Sequence, residues 1–172
     1  MDAGLAQRLR RIRLVAFDVD GVLTDGRLYR GPDGFEMKVF HTRDGHGLKA
    51  LMRAEITVAV ISGRQSRAVA ERMDELGVTA VYLGIEAKRD CLEQLCAEQG
   101  IAADQAAFMG DDVVDLAAMQ HAGVGAAPAD AHPRVREQAH WLADADGGFG
   151  AARQFCDRIL AARDLATDYA GN

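Results

Sequence analysis

The sequence predicts an α/β fold: a Rossmann-like parallel sheet with helices on both faces, a small β-hairpin insertion after the first strand, and no separate cap domain. Continuously apolar runs such as TVAVI at 57–61 carry the first part of that prediction, because strands covered on both faces read as unbroken apolar stretches. These runs alternate with segments of helical length across short loops, the pattern of parallel strands joined by helical crossovers. The chain has 172 residues, 49% of them hydrophobic and three of them proline, enough for one domain with a sizeable core.

Residues 13–18, RLVAFD, read as the first buried strand, followed by an Asp- and Gly-rich loop at 19–26. RLYR at 27–30 and FEMKVF at 35–40 flank the turn GPDG and form a hairpin, since Gly and Asp tolerate the backbone angles of its centre. A helix follows over 44–54, with Asp44 near its start, and then the strand at 57–61. After SGRQS a helix runs to about Leu76, where Gly77 stops it. A short strand near 79–83, a helix over about 87–99 ending near Gly100, and a strand at 105–110 come next. Residues 113–121 read as helical, 122–127 as a strand, 132–138 as a short helix and 140–144 as an edge strand. DGGFG then turns the chain into a last helix over about 150–163. One domain thus spans 1–172, with the hairpin at about 25–40 and a mobile tail at about 164–172. LRRIR at 9–13 reads as a solvated flank, and Trp141 as edge or interface packing.

The formal net charge of -6 speaks against a nucleic-acid partner, which needs positive charge, but leaves room for a small anionic substrate in a locally positive site. Cys91, Cys96 and Cys156 are odd in number and form no CxxC, as free thiols in a reducing compartment do. The N-terminal MDAGLAQRLRRIR lacks the apolar core of a signal peptide, and IRLVAF is too short to span a bilayer. A cytoplasmic protein without a membrane partner is expected.

Chemistry concentrates at the ends of the apolar runs. Asp18 and Asp20 stand two apart in DVDGVLT, a spacing that points both carboxylates the same way on extended backbone. Beside a divalent ion, Asp18 would attack phosphorus and Asp20 would move a proton, as general acid and then as base. Such a turn could also bind calcium or cap a loop, although no ligand series ending in Glu follows it. Gly110-Asp111-Asp112, with Asp115 beyond, ends another apolar run. Asp111 would share a magnesium ion with Asp18 and the carbonyl of Asp20, while Asp112 and Asp115 would support the ion indirectly, or Asp112 would simply cap a helix. Ser62 and nearby backbone N–H groups offer donors to phosphoryl oxygens, and Lys88 offers the compensating positive charge. Taken singly, Ser62 reads as a helix cap and Lys88 as a surface residue; their order after successive strands favours the joint functional reading.

DVDGVLTDG, ISGR, Lys88 and GDD, in this order, resemble the four motifs of haloacid dehalogenase-like phosphatases over nearly the whole chain. That resemblance implies Asp18 as the phosphorylated nucleophile, Asp20 as acid and base, Ser62 and Lys88 as further catalytic residues, and Mg2+ held by Asp18, the Asp20 carbonyl and Asp111. More narrowly, DVDGVLTDGRLY, FHTRDGHG, GIEAK, GDDVVD, PADAHP and GGFGAAR are similar to the 3-deoxy-D-manno-octulosonate 8-phosphate phosphatases. The resemblance implies release of the free eight-carbon sugar acid for lipopolysaccharide synthesis by a homotetramer, whose sites a hairpin and the C-terminal part of a neighbouring subunit help to close. It implies substrate contacts at His41, Thr42, Arg43, Asp44, Gly45, Lys49, Arg64, Arg72 and Lys88. This chain departs from the family's pattern in having Lys49 and Phe149 where arginine is usual, and His41-Thr42 where Asn-Val is common. A nine-carbon sialic-acid-like 9-phosphate or another small phosphoester is the alternative substrate, and a non-catalytic metal- or phosphosugar-binding scaffold the alternative class.

Overall fold

Strand β1 (Leu14–Phe17) lies at the middle of a six-stranded sheet, between β4 (Thr57–Ser62) and β6 (Ala106–Met109). The computed structural model describes residues 3–165. Beyond β4 lies β5 (Ala80–Leu83); beyond β6 lie β7 (Val124–Ala127) and the edge strand β8 (Trp141–Leu142). Every pairing in this sheet is parallel.

Side chains alternate between the faces. Val15 and Phe17 of β1, Val58 and Val60 of β4, and Met109 of β6 pack with helices α2 (Thr42–Arg53), α3 (Arg67–Leu76) and α7 (Ala151–Ala162). Leu14, Ala16, Ala59, Ile61 and Phe108 face α4 (Lys88–Glu98), α5 (Leu116–His121) and α6 (Pro133–Gln138). This two-residue period, apolar on both sides, explains why the strands read as unbroken apolar runs.

Several boundaries depart from the sequence reading. An unexpected first helix, α1 (Ala3–Arg10), precedes β1. The flank at 9–13 is only half solvated, because Leu9 and Ile12 are fully buried between basic neighbours. Helix α2 starts at Thr42 because the His41 ring caps it, accepting from the Arg43 N–H at 3.1 Å. The hairpin strands shrink to β2 (Tyr29–Arg30) and β3 (Glu36–Met37), paired antiparallel, and beyond Met37 the chain turns toward the loop after β1. The helical segment at 113–121 opens with a 3-10 turn, Val113–Asp115, before α5. Trp141 stacks on Phe155 of α7 at 5.2 Å between centroids, an edge-strand contact within the chain. At the C-terminus, the N–H groups of Asp164 and Leu165 still close the last turn of α7, and residues 166–172 of the expected tail lie outside the described residues.

Candidate active site

The order of strands turns around at β1: the chain steps outward to β4 and β5 on one side and to β6, β7 and β8 on the other. Carboxyl ends of neighbouring strands diverge at such a point and leave a crevice. Asp18 follows β1, Ser62 ends β4, and Gly110-Asp111-Asp112 follows β6, so three of the four sequence motifs end strands at one edge. They line a cleft of about 580 Å³ together with Asp20, Arg64 and Lys88. A larger groove of about 1090 Å³ runs between the hairpin turn and α3, but none of these motif carboxylates opens into it.

Backbone hydrogen bonds hold the motif after β1. The Asp18 N–H donates to the Met109 carbonyl at 2.9 Å, extending the ladder to the first acid of the motif. The N–H groups of Leu23 and Thr24 both turn back onto the Val19 carbonyl, at 2.9 and 3.0 Å. Gly21 is left with no room for a side chain, because a Cβ there would collide with the Asp111 carboxylate. The glycine-rich segment 147–150 backs this turn, with the Gly148 N–H donating to the Val22 carbonyl at 3.0 Å.

Asp18, Asp111 and Asp115 bring carboxylate oxygens within 4.8 Å of one another. Asp115 is fully buried and already committed: one oxygen accepts from Lys88 Nζ at 2.6 Å, the other from the N–H groups of Asp111 at 3.0 Å and Asp112 at 3.2 Å. It therefore braces both the lysine and the loop after β6. Lys88, 4% exposed, also reaches Asp18 at 3.0 Å. Burial, with Asp115 as the next cause, raises the Asp18 carboxyl to about 6 against the pull of Lys88. Burial and the neighbouring acids Asp115, Asp18 and Asp112 push Asp111 up to about 8. Burial opposes the Lys88 charge, yet Asp18 and Asp115 outweigh it and raise its pKa. One ammonium among three acids leaves surplus negative charge in a largely buried cluster, a donor set that a hard divalent cation fits.

The other anticipated residues fall into separate places. The Asp20 carboxylate lines the same cleft and is held by Lys38 Nζ, with Thr24 Oγ1 at 3.4 Å. Ser62 is buried at the crevice, where its hydroxyl accepts from the Arg64 N–H at 3.4 Å, while the cap of α3 is Ser66. Asp112 is exposed and caps the turn that follows it. Asp44 is buried behind the site and accepts from the Arg153 N–H at 2.8 Å, tying α2 to the start of α7. Gly45 lets Arg72 and Leu76 of α3 approach α2. Arg72 pairs with Glu75 at 3.0 Å, Thr42 and Arg43 are exposed, and Lys49 is half-buried on α2. Of the residues anticipated to meet the sugar, only Arg64 and Lys88 line the cleft of this chain. Lys38 and Glu36 of the hairpin were not anticipated; the alternation of charged and apolar residues in E-M-K-V was their signal.

A family profile described as haloacid dehalogenase-like hydrolase matches residues 85–150. The 3-deoxy-D-manno-octulosonate 8-phosphate phosphatase KdsC of Yersinia pestis is 41% identical over 158 residues, 92% of this chain and 84% of its own length. The enzyme of the same name from Escherichia coli K12 is 38% identical over 163 residues, 95% of this chain and 87% of its own. Among solved structures, that of the phosphatase from Moraxella catarrhalis in complex with magnesium, phosphate and KDO superposes with a TM-score of 0.93 at 35% identity, covering 95% of this chain and 94% of that one. Likeness at this level over almost the entire length, added to the three motifs meeting at one sheet edge, shows that the chain belongs to the haloacid dehalogenase-like hydrolases, in the family of the 3-deoxy-D-manno-octulosonate 8-phosphate phosphatases.

Proposed function

We propose that this protein is a magnesium-dependent phosphatase that hydrolyses 3-deoxy-D-manno-octulosonate 8-phosphate to the free sugar acid and inorganic phosphate, in the synthesis of lipopolysaccharide precursor. The observation that carries the reading is the buried Asp18–Lys88–Asp115 array beside Asp111 at the crevice. Its relatives in Yersinia pestis and Escherichia coli bear the name of that activity.

Asp18 attacks phosphorus in line, forming the Asp18–O–P bond as the bond to the sugar oxygen breaks. Asp20 supplies the proton that the departing oxygen needs. Asp20 then takes a proton from water, and the hydroxide so formed cleaves the aspartyl phosphate, releasing phosphate and restoring Asp18. Lys88 and Ser62 face the phosphoryl oxygens and offset their charge. Asp18, Asp111 and the Asp20 carbonyl would hold the magnesium ion, which when bound neutralises the carboxylates and the phosphoryl oxygens. Arg64, which lines the cleft, would read the sugar carboxylate through its guanidinium N–H groups.

Of the remaining expected substrate contacts, His41, Thr42, Arg43, Lys49 and Arg72 act across subunits in a homotetramer, whereas the buried Asp44 and Gly45 serve the packing of α2. Supporting this, Leu28, Phe35, Met37 and Val39 are all exposed on and beside the hairpin, an apolar face that a second copy would cover. Cytoplasmic residence suits three unpaired cysteines, and among the described residues no helix is long and apolar enough to cross a membrane.

The test is phosphate release with and without Mg2+ from the eight-carbon acid phosphate, a nine-carbon sialic-acid-like 9-phosphate and simple hexose phosphates. Preference for the first supports the assignment. Preference for another phosphoester overturns the substrate, and silence on every ester overturns the enzyme. Light scattering on the purified protein tests the tetramer, and a monomer refutes it.

A further inference from the structure

The hairpin is built inside out. A surface hairpin ordinarily turns its apolar side chains inward and its charges to water. Here Met37 and Val39 face outward, while the Lys38 side chain is only 2% exposed. Burying an ammonium is costly unless it is paired, so what it pairs with is informative.

Four charges of alternating sign close a ring. Lys38 Nζ contacts Asp20 Oδ1; Asp20 Oδ2 lies 3.5 Å from Arg64 Nε; Arg64 Nη2 lies 3.3 Å from Glu36 Oε1; and Glu36 Oε1 returns to Lys38 Nζ at 3.7 Å. Glu36 is anchored again through its other oxygen, which accepts from Ser66 Oγ at 2.9 Å at the start of α3. The hairpin is thereby pinned to the main body at the point where Lys38 meets Asp20. Thr24 Oγ1 approaches the same Asp20 oxygen that Lys38 holds, at 3.4 Å. Oδ1 is thus engaged from two sides, and Oδ2 has only the longer contact to Arg64.

We propose that Lys38 is a positioning residue for the proton transfer: clamped on Oδ1, it fixes the Asp20 carboxyl plane and presents Oδ2 to the cleft as the oxygen that gives up and recovers the proton. This rests on the reading of Asp20 as the acid and base. In the forward step the proton leaves Oδ2 for the sugar oxygen as the P–O bond breaks. In the second step Oδ2 takes a proton from water. Lys38 itself exchanges no proton and touches neither phosphorus nor sugar. The hairpin, on this view, is part of the catalytic apparatus and not only a wall or an assembly surface.

The experiment compares two esters in the presence of Mg2+. Departure of an alkyl sugar oxygen needs a proton, whereas p-nitrophenolate leaves without one. The value of kcat/KM reports steps up to the first irreversible one, phosphoryl transfer to Asp18. The ratio of kcat/KM for the sugar acid phosphate to that for p-nitrophenyl phosphate therefore isolates assistance to the leaving group. We expect K38M to lower this ratio on the order of 10-fold or more, because misplacement by about 1 Å costs up to roughly 100-fold. D20N is the control for the underlying reading and should lower the same ratio further.

A merely structural defect slows both esters alike, so an unchanged ratio in K38M beside a lowered ratio in D20N overturns the role of Lys38. An unchanged ratio in D20N overturns the acid role of Asp20 instead, and with it the proposal. K38R, which keeps the charge on a bulkier head, carries the test if K38M does not fold. It too should lower the ratio, by less than D20N, and a ratio equal to that of the wild type overturns the proposal.

Discussion

Replacing Gly148 with alanine tests whether the C-terminal glycine segment holds the catalytic turn in place. Gly148 sits at φ +73°, and a Cβ there would stand 2.5 Å from both the Asp25 nitrogen and the Thr24 carbonyl carbon, and 2.9 Å from the Thr24 Cα. These are backbone atoms, so no side chain can swing aside, and contacts under 3.0 Å are not tolerated. Either the glycine segment or the turn after Asp20 must move by about half an ångström or more. The left-handed backbone costs an alanine about 1–2 kcal/mol, and overpacking adds about 1–3 kcal/mol. Retreat of the segment would also break the Gly148–Val22 hydrogen bond, worth about 1 kcal/mol. A loss of about 3–6 kcal/mol follows, and at roughly 2–4 °C per kcal/mol for a chain of this size the melting temperature falls by roughly 6–24 °C.

Gly100 supplies the control. It has φ +61° and nothing within 4 Å of a built Cβ, so Gly100→Ala carries only the conformational cost. Urea denaturation of the two variants gives the packing contribution as their difference, and steady-state kinetics with the sugar acid phosphate gives its effect on the site. We expect Gly148→Ala to be less stable than Gly100→Ala by about 2–4 kcal/mol and to lose kcat, with Gly100→Ala catalytically normal. Equal stability and equal kcat in the two variants would refute the reasoning, since the segment would then bear no load on the turn.

Asp18→Asn should abolish turnover with the circular dichroism spectrum unchanged, and substantial Mg2+-dependent activity in this variant would refute the nucleophile. Lys88→Met removes the counter-charge of Asp18 in a buried site and should cost about 3–5 kcal/mol on urea denaturation; the Asp18 pKa rises further in that variant, so the loss should be larger at pH 8 than at pH 5, and a pH-independent loss would contradict the pairing. Asp111 has its folded pKa raised to about 8, so its contribution to the metal-free protein is present below about pH 4 and erodes as pH rises toward 8. Mg2+ displaces that proton, so its apparent affinity, read by titration calorimetry, should tighten by roughly 10-fold per pH unit between pH 6 and 8, and flat affinity would show that Asp111 holds no proton there. Asp44→Asn keeps an oxygen for the Arg153 N–H and should change stability by less than about 1 kcal/mol with KM unmoved, whereas a large rise in KM would show that Asp44 meets the substrate.

By itself the sequence determined the sheet, the order of the elements from the first strand onward and the identity of the acids on its carboxyl edge. These are local quantities: apolar runs mark strands buried on both faces, and Gly77 and Gly100, at φ +78° and +61°, stop helices wherever the rest of the chain goes. The motif residues also follow strand ends in chain order, which is enough to gather them once the strands are parallel. What only the tertiary structure decided are relations between residues far apart in the chain. Asp115 proved to be the brace of Lys88, 27 positions away, with both oxygens used, a fact no spacing encodes. The first helix escaped the reading because Leu9 and Ile12 are flanked by arginines, and burial of two apolar side chains against the body outweighs a basic neighbourhood. Lys38 is the clearest case. Its sequence neighbours Met37 and Val39 suggest an ordinary exposed hairpin residue, and only the folding of that hairpin back over the turn after β1 places its ammonium on Asp20.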